Sequence, residues 1–215
     1  MSLLLNVFMS RKVIIEMLNS RKDNYKTKPY SNFSINEIDS MLKNTTTKLS
    51  DSTDNPLDMT IKLNDNKKCI IKYVMVSKLR LQNIQLYILD MIQNVLKEGD
   101  ELILITKDKL NHDSSLFDLF ESYYKENKVF IQLFWLDTLI INITNHELVP
   151  IHRVISDAEK NNLVEKHNLT SLKQMPYILK SDPVAKFYGM KSGDVVELTC
   201  ISETAGYNIS YRYCV

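Results

Sequence analysis

Hydrophobic and polar positions alternate along this chain with two periods. Residues 3 to 20 place Leu3, Val7, Ile14 and Leu18 on one helical face, with Arg11 interrupting the stripe. A second helix is predicted from Ser34, because "SINE" (34–37) is a capping box in which the Ser34 hydroxyl and the Glu37 carboxylate each satisfy an orphan amide. After Pro56, "LDMTIKL" alternates with period two and puts Leu57, Met59, Ile61 and Leu63 on one face of a half-buried strand. "NDNK" (64–67) then turns the chain into "CIIKYVMV", which predicts a hairpin. Leu81, Ile84, Ile88, Met91 or Ile92, and Val95 recur at helical spacing, and Gly99 is expected to supply the left-handed stop. "ELILIT" and "VFIQLFW" read as two more strands separated by an amphipathic stretch over 115–126. That order predicts a mixed sheet flanked by helices.

The last third changes character. Every glycine except Gly99 lies after residue 188, and three of the five prolines lie after residue 149, so turn chemistry concentrates there and a boundary is expected near His146. "SDAE" (156–159) repeats the capping box and opens a helix expected to end near Asn168. In "DPVAKFYG", Asp182 caps, Pro183 suits the first turn and Gly189 closes a compact helix. "DVVELTC" and "YNISYRYCV" are strands joined by "ISETAG", where Gly206 permits a positive φ. The fold class is α+β. An N-terminal mixed sheet with flanking helices over 1–142 precedes a small α/β domain over 143–215.

Composition narrows the function more than the fold. The 215 residues are 44% hydrophobic and 25% charged with a net charge of +1, which argues against a membrane protein and against gripping nucleic acid by charge alone. Three cysteines (Cys69, Cys200, Cys214) have no CxxC spacing, so neither a zinc framework nor a disulfide set is expected, and a reducing, intracellular compartment fits. With the hairpin turning at about 204–205, Cys200 is expected opposite Ile209 and Cys214 opposite Val195, about 16 Å apart.

Candidate chemistry is sparse. "HELVPIH" (146–152) invites comparison with HExxH zinc sites, but its histidines stand six apart, about 600° of helical rotation, and Pro150 breaks a helix between them. They are expected to pack and hydrogen-bond at the domain junction. Asp58 and Asp65-Asn66-Lys67 superficially resemble a magnesium-dependent nuclease set, yet an extended strand holds the two carboxylates roughly 20 Å apart. Solvated strand ends are expected instead. Ser202, Glu203 and Thr204 have no nucleophile elbow around them and read as a self-bonded turn. The basic runs at 10–12, 19–22, 64–68 and 107–109 read as solvated faces. The "KDKLNH" loop, with Lys107, Lys109 and His112, is the best candidate for DNA contact because it follows a buried strand.

"INITNHELVPIHRVIS", "DPVAKFYGMKSGDVVEL" and "SETAGYNISYRYCV" resemble, in order and spacing, the C-terminal half of the fifth subunit of eukaryotic RNA polymerases, which has a shorter counterpart in the archaeal enzyme. The resemblance covers about residues 140–215, and the first 139 match only in length and helix-strand order. It implies a non-catalytic subunit without cofactor, metal, membrane or small-molecule substrate. The C-terminal domain would dock on the largest polymerase subunit, and the N-terminal domain would form part of the lower jaw beside downstream DNA. Carried over, the assembly signature falls on His146, Glu147, Leu148, Val149, Pro150 and His152, and on Asp182, Pro183, Val184, Ala185, Lys186, Tyr188, Gly189, Lys191 and Gly193. It continues on Ser202, Glu203, Thr204, Ala205, Gly206, Tyr211 and Arg212. Affinity is expected from Val184, Phe187 and Tyr188 where they face the partner.

The chain departs from the family at Lys186 and Tyr207, where arginines are usual, and at Ser192 and Glu197, where basic residues are usual. "KDKLNH" lacks the family's Thr-Pro pair. The resemblance implies a nuclear protein, or, since the Asn-, Lys- and Ile-rich N-terminal part is far from the cellular pattern, one from a large DNA virus working in host cytoplasm and virion. The competing expectations are a divergent metal-dependent nuclease on the N-terminal domain and a stand-alone regulator that borrows the assembly fold.

Overall fold

The computed structural model describes residues 2–21, 24–45, 55–63, 67–76, 80–107, 109, 113–202 and 204–215. The chain divides into two compact units, the first ending at Ile141 and the second spanning Asn142–Val215.

In the first unit, α1 (Leu3–Ser20) buries Val7, Ile14 and Leu18 completely. Helix α2 (Ile35–Lys43) starts on the expected box, with the Glu37 amide donating to Ser34 Oγ at 3.3 Å and the Ser34 amide to Glu37 Oε2 at 2.7 Å. Strands β1 (Met59–Lys62) and β2 (Lys68–Val74) pair antiparallel with Met59 opposite Ile71. The residues between them, 64–66, lie outside the described residues. Helix α3 (Leu81–Asn94), β3 (Glu101–Thr106), α4 (Asp113–Asn127) and β4 (Phe130–Trp135) follow. The sheet order is β1-β2-β3-β4, antiparallel at the first step and parallel at the other two. This is the mixed sheet that the pattern predicts. Strand β3 is buried along its whole length, as a central parallel strand must be. On one face, Ile70, Leu102, Leu104, Ile131 and Leu133 pack against Ile84, Ile88 and Met91 of α3 and Leu116 and Phe120 of α4. Each such side chain, taken out of water, contributes about 1.5–3 kcal/mol.

Three expectations fail here for physical reasons. Helix α3 ends at Asn94, without glycine, because the Val95 and Leu96 amides both donate to the Met91 carbonyl at 3.0 and 2.9 Å. Gly99 serves the next turn instead: its φ is +85°, and a Cβ there would meet Lys67 Cε at 3.0 Å. The buried Asp100 carboxylate closes that turn by accepting the Lys97 and Lys68 amides at 2.9 and 3.0 Å.

The basic runs are not uniformly solvated. Arg11 is buried, with Nη1 donating to the Leu57 carbonyl at 2.6 Å and its guanidinium 5.1 Å from the Phe33 ring centre. Burial lowers its pKa from the ordinary value. Arg21 is buried too, donating from Nη2 to Gln132 Oε1 at 2.6 Å, and its Nη1 lies 3.8 Å from Glu101 Oε2. Glu101 also accepts the Tyr25 hydroxyl at 2.7 Å. Arginine stems pack as hydrocarbon while their heads find oxygen partners, so a cation inside an apolar stripe need not break it.

The third failure is Asp58. It is no solvated strand end: Oδ2 pairs with Lys72 Nζ at 2.7 Å, Oδ1 accepts the Tyr73 amide at 3.0 Å, and both side chains are largely buried. The β1–β2 register, continued one residue, sets Asp58 opposite Lys72.

The second unit contains β5 (Ile151–Val154), α5 (Asp157–Lys166), β6 (Tyr177–Ile178), α6 (Pro183–Phe187), β7 (Val195–Ser202) and β8 (Gly206–Cys214). Its sheet order is β5-β7-β8-β6. Helix α5 starts on the expected Ser156–Glu159 box, and Asn168 beyond its end has φ +49°. Ala185, Met190, Val196, Leu198 and Cys214 form one core cluster; Ile155, Leu163, Met175 and Val195 form another.

The β7–β8 register differs by one residue from expectation. Ser202 pairs with Gly206, which places Cys200 opposite Asn208 rather than Ile209 and continues to Cys214 opposite Asp194 rather than Val195. Thr204 and Ala205 lie in the turn, and Gly206 with φ +73° is the first strand residue after it. All three cysteines are free thiols.

Candidate subunit interface

The first motif is held by its own backbone. Asn142 Oδ1 accepts the Thr144 amide at 3.0 Å and starts a single 3-10 turn, Ile143–Asn145. The His146 amide closes that turn on the Ile143 carbonyl at 3.2 Å, and its Nδ1 accepts the Leu148 amide at 3.2 Å. Glu147 and Leu148 are exposed. Pro150 leads into β5, where His152 is buried with Nδ1 2.6 Å from the Pro150 carbonyl. Since a carbonyl only accepts, Nδ1 carries the proton there. The His152 ring stacks on Tyr188 with centroids 6.4 Å apart and an interplanar angle of 23°. The two histidines therefore have separate local tasks, one in a turn and one in packing.

The second motif supplies that stacking partner. Asp182 Oδ1 accepts the Val184 amide at 2.8 Å and the Ala185 amide at 3.4 Å, Pro183 occupies the first turn of α6, and Gly189 follows with φ +63°. The Gly189 and Met190 amides donate to the Lys186 and Ala185 carbonyls at 3.1 and 3.0 Å. Val184 and Phe187 are buried inside the unit, and Tyr188 is half-buried between Phe187 and His152. The Lys191 amide donates to Asp194 Oδ2 at 2.8 Å, and Gly193, φ +96°, donates its amide to the Cys214 carbonyl at 3.0 Å.

In the third motif the Ala205 amide donates to Ser202 Oγ at 3.3 Å, and the Ser202 and Thr204 hydroxyls lie 3.4 Å apart, so the turn is self-bonded. Glu203 lies outside the described residues. Arg212 is exposed, whereas the Tyr211 hydroxyl donates to Glu197 Oε2 at 3.1 Å.

That last contact belongs to a group that sequence reasoning missed. Arg153 on β5 donates from Nε and Nη2 to the two Glu197 oxygens at 3.1 Å each, and from Nη1 to Glu159 Oε1 at 2.6 Å. Its pKa is raised by these two carboxylates. Glu159 is pulled down to about 2, first by the Ser156 amide and then by Arg153. Glu197 is lowered chiefly by Arg153. Together with Ile155, Leu163 and Tyr211 these residues line a shallow cavity of about 170 Å³. Glu197, a departure from the family's basic residue, is here the counter-ion of Arg153. Only the neighbouring β5 reveals this, since Arg153 faces Glu197 across the ladder.

Among the DNA-contact candidates, Lys107 is half-buried with its amide on the Val74 carbonyl at 3.3 Å, and Lys109 Nζ lies 5.0 Å from the Trp135 ring centre. His112 and Asp65 lie outside the described residues. Burial raises the Asp58 carboxyl pKa despite the pull of Lys72. Among the described residues no group of three or more His, Cys, Asp or Glu is placed to hold a metal ion, and no helix is long and apolar enough to cross a membrane.

A family model described as RNA polymerase Rpb5, C-terminal domain, matches residues 141–214. The "DNA-directed RNA polymerases I, II, and III subunit rpabc1" of Dictyostelium discoideum is 40% identical over 93 residues, covering 43% of this chain and 47% of the relative. The subunit RPABC1 of the same name from Caenorhabditis briggsae is 46% identical over 77 residues, covering 36% of each chain. Both matches span less than half the length of the relative. With the three motifs in order and the match running from the start of the second unit to its last strand, residues 141–214 are similar to the C-terminal domain of the Rpb5 subunit of RNA polymerases.

Proposed function

We propose that this chain is a non-catalytic subunit of a multisubunit DNA-directed RNA polymerase. Its Asn142–Val215 unit docks on the largest subunit, and its N-terminal unit forms part of the lower jaw near downstream DNA. The observation that carries the reading is the family match over 141–214, which falls on a self-contained unit whose side-chain chemistry is spent on fixing turns. Exposed apolar side chains in that unit, with Leu148 84% and Ile201 87% exposed, support a role in contact rather than in catalysis. Lys107 and Lys109 on the N-terminal unit are the residues proposed to approach DNA, with His112 beside them in sequence. The place of work follows the polymerase: the nucleus for a cellular chain, the cytoplasmic factory for a viral one.

Affinity purification of the tagged full chain, with its companions identified and quantified by mass spectrometry, tests the proposal. The two largest polymerase subunits are expected in equal stoichiometry with the chain. Recovery without them overturns the reading, and markedly unequal stoichiometry would make the chain a regulator rather than a core subunit.

A further inference from the structure

Strand β8 is paired along its full length with β7, from Gly206 opposite Ser202 to Tyr213 opposite Val195. On its other side β6 covers only Tyr213 and Cys214. Pro176 has no amide proton to extend β6 backwards, and Leu172–Gln174 turns as a 3-10 helix. Among the described residues the edge of β8 from Gly206 to Tyr211 is therefore open.

The direction of its hydrogen-bonding groups follows from their neighbours. The Tyr213 amide donates to Pro176 and the Val215 amide to Ile178, at 2.9 and 3.0 Å, whereas the Cys214 amide donates the opposite way to Asp194 at 2.8 Å. Strand alternation then turns the amides and carbonyls of Ile209 and Tyr211, and the carbonyl of Tyr207, out toward the open edge. The Tyr207 amide is engaged with the Ala205 carbonyl at 2.9 Å.

The side chains repeat this alternation. Tyr207, Ile209 and Tyr211 share a face with Ile201, Thr199 and, across β7, Ile151. Tyr207 is 71% and Ile209 55% exposed. The opposite face carries Asn208, Ser210 and Arg212. Arg212 is exposed and has no carboxylate within ion-pair distance among the described residues.

We propose that this edge takes an extended segment of a partner polymerase subunit as a fifth strand of the second sheet. The segment alternates apolar side chains, lying over Tyr207 and Ile209, with polar ones that include an acidic residue facing Arg212. Only an extended polypeptide fits the outward groups, because they alternate donor and acceptor with a repeat of about 6.8 Å, two residues of strand. A phosphate backbone would accept from the amides and leave the carbonyls without donors. The acidic position complements the unpaired guanidinium. The inference rests on the polymerase reading for the identity of the partner, and adds the surface and the mode of docking.

Residue-resolved amide hydrogen exchange on the free full chain and on the chain within purified polymerase tests it. In the free chain the Ile209 and Tyr211 amides are expected to exchange fast and those of Asn208 and Ser210, which face β7, slowly. In the complex, exchange at Ile209 and Tyr211 is expected to slow by about 100-fold or more. Ile209→Pro removes one outward donor at a position where an edge strand tolerates proline. It is expected to lower recovery of the largest subunits by about tenfold with an unchanged circular dichroism spectrum, and Arg212→Glu to lower it less. Should the proline variant misfold, Ile209→Lys and the exchange measurement on the wild-type chain carry the test. Wild-type chain that recovers polymerase with Ile209 and Tyr211 still exchanging fast overturns the edge and leaves the subunit reading standing. Wild-type chain that recovers none overturns both. A discrete soluble dimer of the free chain in which these amides are protected would make the occupant a second copy, and the proposal fails.

Discussion

The two units handle polar groups in opposite ways. The first seals them inside: Arg11, Arg21, Asp100, Glu101 and Gln132 are all buried and bonded across long sequence separations. The second keeps Arg153 with Glu159 at its surface, spends Asp182, Ser156 and Ser202 on turns, and leaves Leu148, Ile151, Ile201, Tyr207 and Ile209 outside. Buried polar groups that bond one another tie the first unit's own elements together. Satisfied turns beside uncovered apolar strands give the second the surface on which docking is proposed above.

The sharpest way to break this contrast is to delete an arginine from each unit. Arg21→Ala leaves the buried Glu101 carboxylate without its cation and is expected to cost about 3–5 kcal/mol in urea unfolding, whereas Arg153→Ala, half-exposed, costs less than about 1 kcal/mol. Equal losses would end the distinction. Next, Gly189→Ala forces an L side chain to φ +63° and is expected to cost about 1–2 kcal/mol by the same measurement. The capping boxes should not differ between units: Ser34→Ala and Ser156→Ala are each expected to cost about 1 kcal/mol.

The smallest effect is the most specific, and it is read by carboxyl NMR titration. Glu159, held at about 2, favours the folded form above the unfolded midpoint of about 4.3, and this contribution is lost as the pH falls through about 2. Asp58 works with the opposite sign. Its raised pKa makes the folded form bind the proton more readily, so its penalty fades as the pH falls below its folded midpoint. Arg153→Met should raise the Glu159 midpoint only part of the way, because the Ser156 amide remains its first cause. Full return to the ordinary carboxylate range would show that the arginine alone holds it down.

What could be read in the sequence was what is settled within a few residues. Both capping boxes, the Asp182-Pro183-Gly189 helix and the buried run of β3 obey local rules, and each stands where those rules place it. What was misread depends on partners far along the chain. Arg11 is buried because a carbonyl 46 residues away meets it, and Arg21 because Gln132, 111 residues away, does. The β7–β8 register slipped by one since turn length, not strand pattern, sets it, and β5 and β6 were missed as four- and two-residue pieces beside prolines. At the candidate interface, the three motifs were legible as turn chemistry. The stacking of His152 on Tyr188 and the pairing of Arg153 with Glu197 were not, for they exist only once the sheet has formed.

The open edge of β8 also bears on how much free chain a cell can carry. Residues 206–211, Gly-Tyr-Asn-Ile-Ser-Tyr, hold no charge and no proline, the two devices by which edge strands discourage pairing with the wrong neighbour. Chain made in excess of its partner therefore exposes a template for clumping. The soluble fraction of the free chain should fall as its concentration rises and recover when a lysine replaces Ile209, so that, under the docking proposed above, one strand ties the amount of chain to the amount of its partner.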